Sequence, residues 1–232
     1  MSQAFNYAGL TEEQQQEIVT RMDDEASYSV TPCQQAAQMA SFCYDLIGKV
    51  GKDPVITDGC ACEGGNVFGF ALSKNFSEVN AVECNDTHYI NLLENVKLLA
   101  RSQLITNEQN PCKVNVFHAS YIDKMEELNQ DIVFLDPPWG GKDYKLKKAI
   151  NLELGPFTLT DIIQYLYENK PRTQYVVWKA PCNFDDQSMI QELKMLGDGS
   201  LKLQEKKGFI KMKLFYVNLR SEMFPRARKC SF

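Results

Sequence analysis

The segment PVITDGCACEGGN, residues 54–66, decides the fold. Its apolar first part predicts a short buried strand that ends on Asp58. A glycine-rich turn comes next, and VFGFALSK after it predicts a helix. This order is typical of the first βα unit of an open parallel sheet, in which ligands bind beyond the carboxyl ends of the strands. We therefore expect the functional site at that edge of the sheet.

The alternation of strands and helices continues along the chain. Further strands are predicted at EVNAVECND, CKVNVFHAS, DIVFLDPP and QYVVWKAP, with helices at THYINLLENVKLLARSQL and TLTDIIQYLYENK. Residues 201–219 predict two more strands around Gly208 that pair antiparallel. The predicted fold is therefore Rossmann-like α/β, a mostly parallel sheet with an antiparallel edge strand pair and helices on both faces.

The chain is expected to hold one domain with a short appendage at each end. TEEQQQEIVTRMDDE, residues 11–25, predicts a helix, so residues 1–27 are assigned to an N-terminal helical extension. Residues 28–220 are assigned to the α/β domain. Residues 221–232 are expected to form a loose tail.

The composition argues against several classes of protein. The 232 residues carry a net charge of −5, which disfavours a protein that grips a long duplex through many phosphates. No apolar run approaches the roughly 18–20 residues of a membrane span, and the N-terminus lacks a signal-peptide pattern. We therefore expect no membrane association and an intracellular, reducing location, in the nucleus or cytoplasm or, for a viral protein, in a viral factory.

The cysteines and histidines do not form a metal-binding pattern in the sequence. In a reducing compartment the eight cysteines are expected to be free thiols. Cys60 and Cys62 have one residue between them, and His88 and His118 lie far away along the chain. Zinc motifs place their ligands in close pairs with two to four residues between them, so no metal is expected.

A second acid supports a nucleoside-containing ligand. Glu83 ends the second predicted strand, where a carboxylate can accept hydrogen bonds from both hydroxyls of a ribose. The turn before it, EGGN (63–66), allows close approach of the backbone to a ligand. The turn matches neither the dinucleotide-binding glycine pattern nor a P-loop. The alternative is a tight turn beside an ordinary strand-end acid.

The segment VFLDPPWGGKDYK, residues 133–145, predicts a binding platform for a nucleobase. Trp139 offers a flat face for stacking, and Asp136 can accept hydrogen bonds from N–H groups in the plane of the base. The Pro137 carbonyl is a second acceptor. Guanine fits well because its N1–H and N2–H are neighbouring donors that one carboxylate can accept. An acid and an aromatic ring that position and polarise the amine suit methylation of an exocyclic nitrogen. The alternative is that Trp139 packs in the core and the prolines only end a strand.

Taken together, three segments carry a resemblance to a known family. With DGCACEGGN (58–66), VECN (82–85) and DIVFLDPPWGGKDY (131–144), the chain resembles the trimethylguanosine synthases over about residues 27–220. These enzymes are S-adenosylmethionine-dependent RNA cap guanine-N2 methyltransferases. The resemblance implies S-adenosylmethionine as the cofactor and the N7-methylguanosine cap of RNA as the substrate.

The resemblance also implies roles for individual residues. Catalysis falls to Asp136, Pro137 and Trp139. Thr31 and the 58–66 segment would meet the methionine part of the cofactor, Glu83 its ribose, and Ser120 and Tyr121 its adenine. The full cofactor set is Thr31, Asp58, Ala61, Glu63, Gly64, Gly65, Asn66, Glu83, Ser120, Tyr121 and Asp136, and the substrate set is Trp139, Lys142, Tyr144, Lys179 and Asn183.

Four positions depart from the family pattern. Cys62 stands where the family has a glycine, Ser120 where it often has an acid, Asp136 where cap enzymes commonly have serine, and Cys182 where arginine is usual. These departures keep two alternatives open. One is an rRNA or tRNA guanine-N2 methyltransferase, and the other is a cap-binding module with impaired catalysis. Trp178 is expected in the core rather than in the cap site, since its neighbours are apolar.

Overall fold

A computed structural model describes residues 6–7, 9–48, 54–105, 111–196 and 199–220, apart from the side chains of Glu25 and Lys142. The predicted tail, 221–232, lies outside the described residues. The chain divides into two compact units, Met1–Asp136 and Pro137–Phe232. None of the helices in the described part is long and apolar enough to cross a membrane.

The first unit is built around four parallel strands. They are β1 (Val55–Asp58), β2 (Glu78–Glu83), β3 (Lys113–His118) and β4 (Ile132–Leu135). Their order is β3-β2-β1-β4, and each neighbouring pair is parallel. The direction of strand succession reverses between β1 and β4, which makes the carboxyl ends of these two strands the switch point where open α/β sheets bind ligands.

Helices connect these strands on opposite faces of the sheet. The connecting helices are α4 (Gly65–Leu72), α5 (Asp86–Arg101) and the short α6 (Tyr121–Lys124), whereas α3 (Cys33–Ile47) precedes β1. Parallel crossovers are right-handed, so α4 and α5, which lead the chain outward from β1 to β3, share one face. The return from β3 to β4 runs in the opposite direction and places α6 on the other face.

The N-terminal extension forms two helices, whereas the sequence predicted one. The helices are α1 (Glu12–Arg21) and α2 (Asp24–Ser29), separated by Met22 and Asp23 in extended conformations. The Asp23 carboxylate accepts the Ala26 N–H at 2.7 Å and so begins a new helix. Since α2 continues to Ser29, the predicted boundary at residue 27 falls inside a helix.

The tightest helix contact in this unit depends on a glycine. A Cβ placed on Gly69 would lie 2.7 Å from the backbone carbon of Ala36 and 2.8 Å from its oxygen. The obstacle is backbone, which cannot rotate aside as a long side chain can. Gly69 therefore permits α3 and α4 to approach closely.

We predict that Gly69→Ala lowers the free energy of unfolding by about 1–3 kcal/mol through overpacking, although alanine favours helix more than glycine. Urea denaturation measures the change. Gly69→Ser, with a larger side chain, should cost at least as much. Equal or greater stability of the alanine variant would contradict this account of the contact.

The second unit contains an antiparallel strand group. Its strands are β7 (Tyr175–Ala180), β8 (Gln204–Lys206) and β9 (Lys213–Asn218), in the order β7-β9-β8. Both pairs are antiparallel, and the β8–β9 pair is the one predicted for residues 201–219. The fold class is thus confirmed as α/β, with a mostly parallel sheet, antiparallel edge strands and covering helices.

The other elements of this unit were only partly predicted. Helix α7 (Leu159–Asn169) begins at the predicted threonine, since Thr158 forms a capping box with Asp161. Helix α8 (Asp186–Met195), a 3-10 helix (Lys142–Leu146) and the short hairpin of β5 (Glu153–Leu154) and β6 (Phe157–Thr158) were not predicted. Trp178 is completely buried and stacks on Phe215 with ring centroids 5.8 Å apart, which confirms it as a core residue.

Arg220 closes the carboxyl end of α7. Its guanidinium donates to the carbonyls of Leu166, Tyr167 and Lys170 at 3.1, 2.8 and 2.8 Å. The last carbonyls of a helix lack partners within the helix, and Arg220 supplies a donor to that of Tyr167. The Leu166 and Lys170 carbonyls, which also accept the Lys170 and Thr173 N–H groups, receive a second donor. Burial lowers the pKa of Arg220 from its ordinary value.

We predict that Arg220→Met destabilises the chain by about 2–4 kcal/mol, because several buried carbonyls lose a charged donor. Arg101→Met is the matched control, since the Arg101 side chain is 66% exposed and 3.8 Å from Glu17. The control should change stability by less than about 0.5 kcal/mol. Equal effects of the two substitutions in thermal denaturation would contradict the capping role.

Candidate active site

Three predicted site acids converge at the carboxyl edge of the parallel strands. Asp58 ends β1, Glu83 ends β2 and Asp136 follows β4. Burial raises the pKa of the Cys60 thiol well above its ordinary value, and the charges of Asp58, Asp136 and Glu83 raise it further. In the parallel register Asp58 lies opposite Ala81 of β2 and Phe134 of β4, so the carboxyl ends of these strands and their acids lie at one edge of the sheet.

Glu83 anchors the loop between β1 and α4. One carboxylate oxygen accepts the Cys62 N–H at 2.7 Å, and the other accepts the Asn85 N–H at 2.7 Å. These bonds hold the carboxyl plane in place, and each oxygen keeps a further lone pair. The predicted ribose acceptor is therefore oriented before any ligand binds.

Two residues of the β1–α4 loop, Gly64 and Cys62, have positive φ, and only one of them is a glycine. Gly64 has φ of 98°, which glycine adopts readily. Cys62 has φ of 46°, although this left-handed region disfavours side chains. The family pattern has glycine at this position. The Cys62 N–H still reaches Glu83, so the substitution preserves the loop's anchoring bond.

Thr31 lies directly against the start of α4. A Cβ placed on Gly65 would lie 3.0 Å from the Thr31 carbonyl oxygen and 2.7 Å from a methyl group of Val30. The sequence predicted Thr31 near the cofactor loop, and the structure places its backbone there. Tyr7 adds a contact that no local motif indicated, since its hydroxyl donates to the Gly65 carbonyl at 2.7 Å.

The Asn66 side chain indicates whether the methionine part of the cofactor fits this loop. Its side-chain oxygen is buried and accepts no hydrogen bond from any described residue. A buried amide oxygen requires a donor, and leaving it without one costs about 1–3 kcal/mol. The ammonium group of S-adenosylmethionine carries such donors. The residues of this loop therefore fit the cofactor that the sequence predicted.

The other predicted cofactor residues make contacts within the protein. Ala61 is buried, and its N–H donates to the Val82 carbonyl at 3.0 Å. The Ser120 hydroxyl caps α6 by accepting the Ile122 N–H at 3.3 Å. Tyr121 is buried, and its hydroxyl accepts a hydrogen bond from Gln130 at 2.8 Å. Contact of these three residues with adenine stays a prediction.

The Glu63 side chain, which belongs to the loop before α4, makes a hydrogen bond with helix α5. It is completely buried, and one carboxylate oxygen accepts a hydrogen bond from Asn91 of α5 at 2.8 Å. Burial raises its pKa, while that hydrogen bond and the nearby His88 oppose the rise. Its contact with the cofactor also stays a prediction.

The second unit groups most of the predicted substrate residues around Trp139. The indole is half-buried, and Tyr144 meets it edge-on with ring centroids 5.2 Å apart. The ammonium of the buried Lys179 lies 6.0 Å from the indole centroid. The indole N–H is buried and donates to no described residue. The Lys142 side chain, also predicted here, lies outside the described residues.

Asn183 holds the backbone beside this platform. Its amide donates to the carbonyls of Tyr144 and Lys147 at 2.9 and 2.7 Å. Both donor hydrogens are therefore used within the protein, and the sequence prediction of direct substrate contact does not capture this role. Asn183 thus positions the 3-10 helix that carries Tyr144.

We predict that Asn183→Asp raises amide hydrogen exchange in residues 142–148 about tenfold, because a carboxylate would face two carbonyls without a donor. Asn169→Asp is the control, since Asn169 donates only to the Tyr165 carbonyl within α7. Exchange that rises equally in both variants, or in neither, would remove the positioning role.

The geometry so far defines the class of protein, and comparisons with known proteins agree. The fold is that of S-adenosylmethionine-dependent methyltransferases. The model of the RNA cap guanine-N2 methyltransferase family matches residues 54–220, and the chain belongs to that family.

Two curated proteins are similar in sequence. An uncharacterized protein, L320, of Acanthamoeba polyphaga mimivirus is 36% identical over 143 residues, 62% of this chain and 52% of that protein. Trimethylguanosine synthase of Saccharomyces cerevisiae is 27% identical over 199 residues, 84% of this chain and 56% of that protein. The chain thus spans about half the length of these relatives.

Solved structures share the fold at low sequence identity. The METTL16 methyltransferase domain superposes with a TM-score of 0.58 at 16% identity, covering 82% of this chain and 84% of that one. A SAM-dependent methyltransferase from Agrobacterium tumefaciens gives a TM-score of 0.55 at 15% identity, covering 83% of this chain and 64% of that one. These likenesses support the methyltransferase fold.

Proposed function

We propose that this protein transfers a methyl group from S-adenosylmethionine to the exocyclic N2 of an N7-methylguanosine RNA cap. The observation that carries the proposal is the segment Asp136-Pro137-Pro138-Trp139, which follows directly after β4, a strand that pairs with β1 and its terminal Asp58; Glu83 ends the next strand along, β2. Family membership and the similarity to the yeast trimethylguanosine synthase support the same reaction.

Glu83 and Asn66 each have a task in binding the cofactor of this reaction. Glu83, already oriented by two backbone amides, accepts the ribose hydroxyls of the cofactor. Asn66 accepts hydrogen bonds from its ammonium group, which gives the buried amide oxygen the donor that it requires. When bound, S-adenosylmethionine supplies an electrophilic methyl group on a sulfonium sulfur.

Asp136 and Pro137 act on the amine. The lone pair of a guanine N2 is conjugated with the ring, so the nitrogen is a poor nucleophile. A carboxylate that accepts the N1–H and one N2–H polarises these bonds, and the Pro137 carbonyl accepts the other N2–H. Both interactions favour a lone pair localised on nitrogen and directed out of the hydrogen-bonding plane, and the Asp136 carboxylate accepts the N2 proton that methylation displaces.

Trp139 selects and positions the base. Stacking on an aromatic ring contributes about 1–3 kcal/mol per base. An N7-methylated guanine is cationic and gains a further cation–π attraction of roughly 0.5–2 kcal/mol. The contacts of Trp139 with Tyr144 and of Asn183 with the adjoining backbone keep the ring from rotating.

The proposal is tested by mass spectrometry of N7-methyl-GTP incubated with the protein and S-adenosylmethionine, with plain GTP in parallel. We expect methyl gain only on the N7-methylated substrate. Gain on folded rRNA or tRNA but on neither nucleotide would transfer the function to the alternative guanine-N2 substrate. Cap binding without donor binding in calorimetry would indicate the catalytically impaired module.

Substitutions assign the roles. Trp139→Ala should raise KM for the cap analogue roughly 10- to 100-fold, because the stacking energy is lost. Asp136→Asn should lower kcat by roughly 10- to 100-fold with a smaller effect on KM, because the amide carries no charge and one of its two atoms is a donor.

Asp45→Asn provides the matched control, since Asp45 is exposed on α3 and the change is equally isosteric. Its kinetics should equal those of the unsubstituted protein. Unchanged turnover in both Trp139→Ala and Asp136→Asn would refute the site assignment.

A further inference from the structure

A second group of chemically reactive side chains lies outside the predicted catalytic residues. Asp23 begins α2, Glu63 belongs to the loop before α4, and His88 is in the first turn of α5. One donor atom from each lies within 4.8 Å of the other two. We refer to Asp23, Glu63 and His88 as the three-residue cluster.

Charge and burial make the cluster costly without a cation. Glu63 is completely buried, and His88 is 7% exposed. Two carboxylates held this close in a largely buried site repel each other and lose hydration, unless a positive charge compensates them. A divalent ion would neutralise both carboxylates at once.

The hydrogen-bonding state of Glu63 is an independent observation that points to a ligand. One of its oxygens accepts from Asn91, but the other, Oε2, is buried and accepts no hydrogen bond from the described residues. A fully buried carboxylate oxygen without a donor is rare in proteins. A metal ion satisfies such an oxygen as a hydrogen-bond donor does.

The spacing and chemistry of the donors suit zinc. Tetrahedral Zn²⁺ with N and O ligands at 2.0–2.2 Å separates its ligand atoms by roughly 3.3 Å. His88 Nε2 and Asp23 Oδ2 are 3.0 Å apart, so adjustments of about an ångström bring all three atoms into such a sphere. One imidazole and two carboxylates are ligand types that Zn²⁺ binds in proteins, and a water as fourth ligand would complete a four-coordinate site.

We propose that Asp23, Glu63 and His88 form a structural Zn²⁺ site that clamps the N-terminal helices onto the cofactor loop and α5. The clamp would add to polar contacts already present, such as Arg21 to Asn95 at 2.6 Å and Asn91 to the Arg21 carbonyl at 2.9 Å. This inference replaces the sequence-based expectation of no metal. Glu63 is also in the predicted cofactor set, but zinc binding does not depend on the proposed reaction, because it is measured without S-adenosylmethionine or cap.

The chain offers a matched control for the histidine. His118 pairs with Asp86 at 3.0 Å, the same distance as His88 with Asp23, and these two are the chain's only histidines. Asp86 is 88% exposed, and His118 has no place in the three-residue cluster. His118→Gln therefore removes an equivalent ion pair without removing a proposed ligand.

The experiment titrates Zn²⁺ into chelator-treated protein by calorimetry. We expect one equivalent to bind to the unsubstituted protein and to His118→Gln, with at least tenfold weaker binding in His88→Gln and Glu63→Gln. Zn²⁺ should also raise the melting temperature by mass action and slow hydrogen exchange in residues 12–29. Asp23→Asn, at the most exposed ligand, keeps the test available if a buried substitution prevents folding.

Cobalt distinguishes this site from adventitious binding to thiols. Cys62 Sγ lies 4.0 Å from His88 Nδ1, on the opposite side of the ring from Asp23, so it is not part of the donor set. Co²⁺ should show the visible bands of a site with nitrogen and oxygen ligands and no thiolate charge-transfer band. No stoichiometric binding, binding unchanged in His88→Gln, equal loss in His118→Gln, or a thiolate band would each overturn the proposal.

Discussion

The hydrogen bonds of the Glu83 carboxylate are the interaction on which the carboxyl edge of the parallel strands depends. Glu83 ends β2, accepts the Cys62 N–H from the β1–α4 loop and accepts the Asn85 N–H at the start of α5. One side chain thereby sets the path of the loop and the beginning of the next helix. Parallel strands make this possible because their carboxyl ends meet at one edge of the sheet.

The N-terminal segment packs against the β1–α4 loop and helix α5, which Glu83 joins. Tyr7 donates to the Gly65 carbonyl, Thr31 lies against Gly65, and Arg21 donates to Asn95 of α5. Loops that bind ligands are usually among the less stable parts of a protein, and packing against neighbouring segments limits their motion. The extension therefore contributes to the shape of the loop, which a reading of residues 28–220 as a self-sufficient domain omits.

In the second unit, neighbouring residues hold the predicted binding platform around Trp139 in place. Asn183 spends both amide hydrogens on backbone carbonyls, and the 3-10 helix that it holds presents Tyr144 to Trp139. The buried Lys179 lies over the same indole. Asn183 thus holds the backbone of the predicted binding platform, and a site is only as precise as the backbone that carries it.

The sequence by itself determined the order of the main sheet strands and of helices α4, α5 and α7, the parallel arrangement of the first strands, the antiparallel pair and the acids at the strand ends. Apolar periodicity and glycine turns are local signals, so residues 54–66 and 131–145 could be interpreted without coordinates. Only the tertiary structure decided the break at Asp23, the positioning role of Asn183 and the meeting of Asp23, Glu63 and His88. These features join residues distant in sequence, and their contacts depend on packing that no local pattern encodes.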